Sequence, residues 1–203
     1  ENQTQWTLKG DLTTQYSDRN TLKFGGEVTL YDMNIDRVKY EPQTTYYGKP
    51  IIYADPLNYS TDYQYKPRAG AAFIQNKLRF VDDGTFSLGL RWDFLDPRAQ
   101  RPNLEFVPVG DDAFKQEIRE WVPAKIKHRL SPRVGFAMPF TTEDFFFVNF
   151  GYFFQVPLFD HLYSGLDINL KKQNSVLVGN PDMKPQVTKA WEFSYRRQFG
   201  EDI

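Results

Sequence analysis

The sequence predicts an all-β protein, and more specifically part of an antiparallel transmembrane β-barrel. Seven stretches alternate apolar and polar residues with period two, their joints alternate between tight turns and loops of about thirty residues, and 17% of the residues are aromatic. Period-two alternation gives a strand one apolar and one polar face. Tight turns that alternate with long loops are typical of outer-membrane barrels, where the tight turns lie on the periplasmic side.

Composition excludes several other classes of protein. With 25% charged residues, the chain contains no run of about 18 or more apolar residues, so no transmembrane helix is predicted. The net charge of −1 provides no basic surface for nucleic acid, and the absence of cysteine removes disulfides and thiolate metal sites. No signal peptide opens the chain at Glu1, which fits a mature protein or an internal piece.

The first two strands are predicted over residues 5–16 and 21–33. Leu8 and Leu12 share one parity in the first strand and Phe24 shares it in the second, while polar residues fill the other parity. The four residues between the strands, 17–20, are turn formers. A long loop is predicted to follow, over residues 34–65.

The third strand ends near Phe80, and an Asp-Gly turn at 81–84 leads into the fourth, residues 85–94. The fourth strand shows the alternation most clearly. Its apolar parity holds Phe86, Leu88, Leu90, Trp92 and Phe94, and its polar parity holds Thr85, Ser87, Gly89, Arg91 and Asp93.

A second long loop is predicted over 96–125, with a short surface helix at 111–121 because Phe114, Ile118 and Trp121 have helical spacing. Strands five and six follow at 126–138 and 145–155, and a third long loop over 157–187 precedes strand seven. Twelve residues rising ~3.3 Å each at a tilt of ~45° span roughly 28 Å, close to the ~25 Å apolar band of such barrels.

Several segments carry a family resemblance, among them Phe-Gly-Tyr-Phe-Phe-Gln-Val-Pro at 150–157. Leu-Ser-Pro-Arg-Val-Gly-Phe at 130–136 and Val-Gly-Asn-Pro-Asp-Met-Lys-Pro-Gln at 178–186, the latter followed by Trp191 and the rest of strand seven, resemble TonB-dependent outer-membrane receptors. The family's Asn-Pro-x-Leu-Lys-Pro-Glu motif falls here on Asn180, Pro181, Asp182, Lys184 and Pro185. Met183 replaces the usual Leu, and Gln186 replaces the usual Glu.

The resemblance implies a binding and transport protein rather than an enzyme. Such receptors resemble one another in having a 22-stranded barrel closed by a plug, with a TonB box for energy coupling. Residues 1–203 are then expected to form the middle-to-late part of the barrel, with the plug and TonB box absent from this chain. The likeness is strongest to the branch common in Bacteroidetes-like bacteria, whose receptors often carry a small carboxypeptidase-regulatory-like domain before the plug.

The resemblance also implies the location and the partners. The chain is expected in the outer membrane of a Gram-negative bacterium, in contact with lipid, with the remainder of the barrel and plug and, through the missing parts, with TonB. The ligand is expected to be a siderophore, a metal chelate, a glycan or a peptide. No cofactor, metal site or nucleic acid is expected.

The Asn-Pro motif also has a reading from physical chemistry alone. Pro181 and Pro185 fix φ and favour extended backbone at Asn180 and Lys184, while Asn180 and Asp182 can bond nearby amides. The motif therefore predicts a stiff entry into strand seven. A direct ligand contact is the alternative.

The first long loop is rich in tyrosine, which offers rigid amphipathic contacts for a ligand. The candidate ligand-facing residues are Tyr46, Tyr47, Tyr53, Tyr59 and Tyr63. The alternative is that strands two and three continue beyond the membrane as a hairpin whose tyrosines form an interfacial belt and pack loop against loop.

No catalytic site is predicted. His161 lies beside Asp160, but the chain has only 2 histidines, and a solvated loop histidine explains it. Carboxylates such as Asp83, Glu143 and Asp144 fall at tight turns rather than in a glycosidase-like pair. Two other classes remain: an outer-membrane barrel with a structural or adhesive role, and a soluble all-β enzyme or carbohydrate-binding domain whose apolar strand faces are covered by a second sheet.

Overall fold

The structure is a computed structural model that describes residues 2–39, 45–46, 49–50, 59–80, 83–108, 114–166 and 178–199. The described chain is almost entirely β. Its elements are β1 (Asn2–Ser17), β2 (Asn20–Lys39), β3 (Thr45–Tyr46), β4 (Lys49–Pro50), β5 (Tyr59–Tyr65), β6 (Arg68–Arg79), β7 (Thr85–Asp96), β8 (Gln100–Pro108), β9 (Phe114–Pro123), β10 (Lys127–Pro139), β11 (Asp144–Gln155), α1 (Phe159–Tyr163) and β12 (Gln186–Arg197).

One antiparallel sheet holds the seven long strands in the order β1-β2-β6-β7-β10-β11-β12, with β5 paired to the far part of β2. Each long strand therefore pairs with the next long strand along the chain. Among the described residues β1 and β12 are not paired with each other, so the sheet is not closed. This is the fold predicted for a barrel fragment.

All seven predicted strands are present. Tight connections join β1 to β2, β6 to β7 and β10 to β11, whereas long segments join β2 to β6, β7 to β10 and β11 to β12. The tight connections therefore lie at one end of the sheet, the short-turn end, and the long segments at the other, the long-loop end. β2 runs further than predicted, to Lys39, where it pairs with β5.

The predicted helix at 111–121 is wrong. Residues 114–123 form β9, which pairs with β8 as a separate two-stranded hairpin. A bulge between Asn103 and Leu104 pairs Leu104 with Ile118 and Pro102 with Trp121, leaving an extra residue in β9. Because a bulge shifts the alternation by one residue, Ile118 and Trp121 reach the same face at a spacing of three, which imitates a helix.

The strands expose their apolar residues and shield their polar residues, which is the reverse of the arrangement in a water-soluble protein. In β7 the apolar residues Phe86, Leu88, Leu90 and Trp92 are exposed, while the polar residues between them are only partly exposed or buried. We call the exposed apolar side of the sheet the outer face and the polar side the inner face. Register aligns both faces across strands, as in the outer row Leu12, Phe24, Ile74 and Leu90 and the inner row Lys23, Gln75, Gly89 and Arg133.

The buried core lies on the inner face at the long-loop end. It combines Met33 and Ile35 of β2, Tyr63 of β5 and Leu95 of β7 with residues of the segment after β11, namely Leu162, Tyr163 and Leu166. Partner positions in the register, Ile35 with Tyr63 and Ala69 with Leu95, place these strand residues on one side of the sheet. Within the described part of the chain, no helix is both long and apolar enough to cross a membrane.

Candidate functional site

The segment after β11 lies across the inner face of the sheet at the long-loop end. β11 is separated from β2 by β10, β7 and β6 in the sheet order, yet α1 packs against residues of β2 and β5. Five aromatic rings make this contact, which we call the aromatic cap: Tyr31, Tyr63, Tyr65, Phe159 and Tyr163. The cap covers the inner face at the long-loop end of the sheet.

Hydrogen bonds orient the aromatic cap. The Tyr63 hydroxyl donates to Asp160 Oδ1 at 2.8 Å, and the Tyr163 hydroxyl donates to the carbonyl oxygen of Pro97 at 2.8 Å. The rings of Tyr65 and Tyr163 stack with centroids 4.4 Å apart. Burial raises the pKa of Tyr163 far above its ordinary value, so its hydroxyl remains a protonated donor.

The Asn-Pro motif lies beside the cap and connects it to β10. Lys127 Nζ donates to Asp182 Oδ1 at 2.9 Å and to the Pro181 carbonyl oxygen at 2.7 Å. The backbone amide of Lys125 donates to the same carboxylate oxygen at 2.7 Å. The guanidinium Nε of Arg101 lies 2.8 Å from Asp182 Oδ2. Asp182 therefore joins two loops through one carboxylate, and we call this group the loop hub.

Backbone hydrogen bonds hold the motif against α1. The amide of Asn180 donates to the His161 carbonyl oxygen at 2.8 Å, and that of Gly179 donates to the Ser164 carbonyl oxygen at 2.6 Å. A Cβ on Gly179 would lie 2.7 Å from the Leu162 carbonyl carbon, so this close approach requires glycine. The amide of Asp182 donates to Asn180 Oδ1 at 2.9 Å, which is the local amide bonding expected from the sequence.

We expect the loop hub to weaken in acid. Burial would raise the pKa of Asp182, but hydrogen bonds from Lys127 and from the Lys125 amide outweigh it and hold the pKa below its ordinary value. A lowered carboxyl pKa stabilises the folded arrangement above the unfolded pKa of ~3.9, and this stabilisation is lost as the pH falls through the lower, folded pKa. Asp182→Asn imitates the neutral form and should expose the Lys125 amide to faster hydrogen exchange at pH 7.

Hydrogen exchange on the full-length protein checks this prediction. Asp18→Asn is the matched control, because Asp18 is an exposed turn carboxylate at the opposite end of the sheet. Equal protection of the Lys125 amide in wild type and in Asp182→Asn would show that the carboxylate does not hold the hub.

The inner face below the cap carries paired charges. Arg91 lies 2.6 Å from Glu27 Oε1 through Nη2 and 2.7 Å from Asp93 Oδ1 through Nε. Nearer the short-turn end, Lys23 lies 3.2 Å from Asp11. A charged inner face and an apolar outer face are the two surfaces that a barrel wall needs between water and lipid.

The structure brings together only part of the predicted tyrosine site. Tyr63 is 3% exposed within the aromatic cap. Tyr46 and Tyr59 lie in β3 and β5, but their side chains are outside the description, as are Tyr47 and Tyr53 altogether. Their ligand role therefore stays a prediction. The backbone at this point follows the hairpin alternative, because β2 continues into its pairing with β5.

The remaining motif residues differ in exposure. Pro181 is buried, whereas Lys184 is exposed and continues the stiff entry toward β12. His161 is exposed beside Asp160. Among the described residues, no three His, Asp or Glu side chains are grouped closely enough to hold a metal ion.

Sequence reasoning missed three residues of this site. Lys127 and Arg101 have no motif around them, and their role depends on a partner more than fifty residues away. Tyr163 lies in a loop without periodicity. A signal was nevertheless present in the run from Phe159 to Tyr163, since an exposed loop rarely needs so many apolar residues.

Comparison with known proteins now gives the family. A family model described as "TonB dependent receptor-like, beta-barrel" matches residues 1–203. No curated protein and no solved structure matches the chain. Receptors of this family are transporters, not enzymes, in the outer membrane of Gram-negative bacteria. The match over the whole chain agrees with the antiparallel sheet and its alternating tight and long connections, and the chain belongs to the TonB-dependent receptor-like β-barrel family.

Proposed function

We propose that this chain is the middle-to-late part of an outer-membrane barrel that imports a ligand by TonB-dependent transport. The plug and the TonB box then lie in parts of the protein outside residues 1–203, and TonB is contacted through those parts. The ligand is a siderophore, a metal chelate, a glycan or a peptide.

The observation that carries this proposal is the apolar outer face. Ile74, Leu90 and Trp92 are 51%, 44% and 43% exposed in the middle of their strands, while the inner-face neighbour Asp93 is 6% exposed. Apolar surface of this extent on every long strand requires a nonpolar solvent or a covering layer. In a family of outer-membrane barrels that solvent is lipid.

The long-loop end is then the side that meets the ligand first. The tyrosine-rich segment, with Tyr46, Tyr47, Tyr53 and Tyr59, supplies the outer contacts, and the aromatic cap closes the inner face at the long-loop end. The motif residues Asn180, Pro181, Asp182, Lys184 and Pro185 hold the cap in place rather than touch the ligand. The hydrogen bonds that connect the motif to α1 and to residues 125–127 support this division of roles.

We also propose that the receptor belongs to the branch common in Bacteroidetes-like bacteria. The support is the likeness of residues 130–136 and 150–157 to that branch. The sequence upstream of this chain tests the assignment: a small carboxypeptidase-regulatory-like domain before the plug supports it, and its absence contradicts it.

A paired gene deletion tests transport. Cells lacking the receptor and cells lacking TonB are grown on a panel of iron sources, oligosaccharides and peptides, and the outer membrane is fractionated. We expect the receptor in the outer membrane and every nutrient lost with the receptor to be lost with TonB as well. If deletion of the receptor reduces surface adhesion but leaves all TonB-dependent growth unchanged, the protein is a structural or adhesive barrel. A receptor found in the soluble fraction contradicts the membrane assignment altogether.

A further inference from the structure

The hydrogen-bonded ladder between β10 and β11 ends partway along the two strands. Among the described residues, the pairing runs from the tight connection up to Arg133 with Gly151 and stops there. Residues 127–132 and 152–155 are still strand residues, and they remain paired on their other sides, to β7 and β12. Pro132, the first residue of β10 beyond the ladder, has no amide hydrogen to donate. The sheet therefore has a seam toward its long-loop end, between residues 127–132 and 152–155, which we call the split.

Arg129 reaches across the split. Its register partner Asp93 in β7 places it on the inner face, yet its guanidinium carbon lies 5.6 Å from the centre of the Tyr152 ring in β11. No ladder separates the two strands at this point, so the guanidinium can approach a ring on the neighbouring strand. Arg129 Nε is buried and has no hydrogen-bond partner among the described residues. Because buried donors are as a rule hydrogen-bonded, this atom indicates an acceptor at the split that the described residues do not supply.

Tyr152 and a second cation, Lys189, lie on the outer face. Lys189 is the register partner of Tyr152 in β12, and its Nζ lies 5.5 Å from the centre of the Tyr152 ring. The Tyr152 ring also contacts Phe150, which in turn contacts Trp191, and Trp191 is 63% exposed on the outer face. Lys189 is exposed as well, and none of the described carboxylates forms an ion pair with it or with Arg129. Two cations therefore approach one outer-face ring.

The split lies at the edge of the apolar part of the outer face. On β11 and β12 two polar rows bound that part: Asp144 with Arg197 near the short-turn end, and Tyr152 with Lys189 toward the long loops. From Asp144 to Tyr152 the strand rises roughly 19 Å at ~3.3 Å per residue and a tilt of ~45°, and long cationic side chains at both edges extend this span toward the ~25 Å of a barrel's apolar band. Lys189 therefore stands where lipid headgroups meet the barrel wall. The outer-face pairs between the two rows are all apolar or aromatic: Phe146 with Tyr195, Val148 with Phe193, and Phe150 with Trp191.

We propose that the split binds the phosphate group of a lipid from the membrane leaflet at the long-loop end. The proposal rests on the outer-membrane function proposed above and adds a specific lipid partner to it. Lys189 and Arg129 supply the charged donors, and the phosphate supplies the acceptor for Arg129 Nε. The acyl chains then lie against Phe150 and Trp191, so the site favours a lipid over a free anion. Cationic groups at a membrane surface attract anionic headgroups, so the site also favours a phosphate-bearing lipid over an uncharged one.

Lipid binding to the full-length receptor in a non-ionic detergent tests the proposal. The probe is dioleoyl phosphatidic acid, and the control probe is dioleoylglycerol, which has the same acyl chains and no phosphate. Inorganic phosphate is the third probe, because it has the charge and no acyl chains. Native mass spectrometry measures the bound lipid. We expect phosphatidic acid to bind more tightly than dioleoylglycerol, and we expect an equal concentration of inorganic phosphate not to displace it.

Two variants locate the site. Lys189→Gln and Arg129→Gln should each weaken the binding of phosphatidic acid about fivefold, which is the loss expected for one cation at a membrane surface. Lys189→Arg keeps the charge and should retain binding. Because Lys189 is exposed, its variants test the site even where Arg129→Gln disturbs the fold.

Arg68→Gln is the matched control. Arg68 is an exposed cation of β6 at the long-loop end, and its register partner Leu30 places it on the outer face. β7 and β10 separate β6 from the split in the sheet order. The control variant should leave the binding of phosphatidic acid unchanged.

The outcomes separate this proposal from the function on which it rests. A receptor that is in the outer membrane but binds dioleoylglycerol as tightly as phosphatidic acid has no phosphate site, which overturns the proposal and leaves transport intact. Displacement of the lipid by an equal concentration of inorganic phosphate would reveal a site for free anions and overturn it as well. If Arg68→Gln weakens binding as much as Lys189→Gln does, the attraction is general and the split is not its location. A receptor absent from the outer membrane contradicts the proposed function instead.

Discussion

Leu90→Arg is expected to destabilise the full-length barrel by about 2–4 kcal/mol, because it places a cation on the lipid side near the bilayer midplane. Leu90 lies at the centre of β7, 44% exposed on the outer face, with Ile74 and Pro132 as its register partners. An arginine at this depth cannot reach either water layer without distorting the bilayer or the strand. The free energy of unfolding in lipid vesicles, measured by urea titration, gives the result.

The matched control introduces the same residue on the opposite face. Gln75→Arg lies in the strand beside Leu90 but on the inner face, where it meets water, and it should cost well below half as much as Leu90→Arg. Arg91→Leu is a poorer control, since it leaves Glu27 and the buried Asp93 without their cation. If Leu90→Arg and Gln75→Arg lowered the free energy of unfolding equally, both faces would meet the same environment. That result would contradict a sheet with lipid on one side and water on the other.

Tyr163→Ala is expected to detach the aromatic cap from the inner face, with a local cost of about 3–5 kcal/mol. Tyr163 is fully buried between Tyr65, Tyr63 and Phe159 and donates to the Pro97 carbonyl oxygen. Its truncation removes the largest buried side chain of the cap and leaves that carbonyl without its donor. Hydrogen exchange in residues 159–163 measures the change as a local opening free energy.

Two further variants divide this effect into its parts. Tyr163→Phe keeps the ring and loses only the hydroxyl, so it should cost about 0.5–1.5 kcal/mol. His161→Ala alters an exposed side chain two residues away and should have little effect. Unchanged exchange in Tyr163→Ala would show that the cap is not held by this residue. Global unfolding should change less than local exchange, because the cap can open while the sheet remains paired.

The strands could be predicted from the sequence because each of them separates two solvents. In β7 every second residue from Phe86 to Trp92 is apolar, and this fixes the register as well as the face, since a slip by one residue would put Arg91 on the outer side. The positions of the tight turns follow from residues such as Asp83 and Gly84, where Asp83 has a φ of 58°. These properties are local, so they can be recognised in a short stretch of sequence without knowledge of the rest of the molecule.

The cap and the loop hub could not be predicted in the same way. Asp182 depends on Lys127 and Arg101, and α1 depends on strands that precede it by more than sixty residues. Contacts between residues so far apart in the chain leave no periodic pattern in the sequence. The bulge in the β8–β9 hairpin produced the opposite error, because one extra residue turned a strand spacing into a helical one.

The orientation of the two faces is the central claim, and single-cysteine labelling in intact membranes tests it most directly. Residues 1–203 contain no cysteine, so each of the variants Ile74→Cys and Gln75→Cys introduces a single thiol into this part of the protein. The two positions are adjacent in β6, and their side chains lie on opposite faces of the sheet. The full-length receptor in outer-membrane vesicles is treated with a water-soluble maleimide and, separately, with a lipid-soluble one. We expect Cys at position 75 to react with the water-soluble reagent and Cys at position 74 only with the lipid-soluble one. The reverse pattern, or equal labelling of both positions by the water-soluble reagent, would contradict a barrel wall whose apolar face meets lipid.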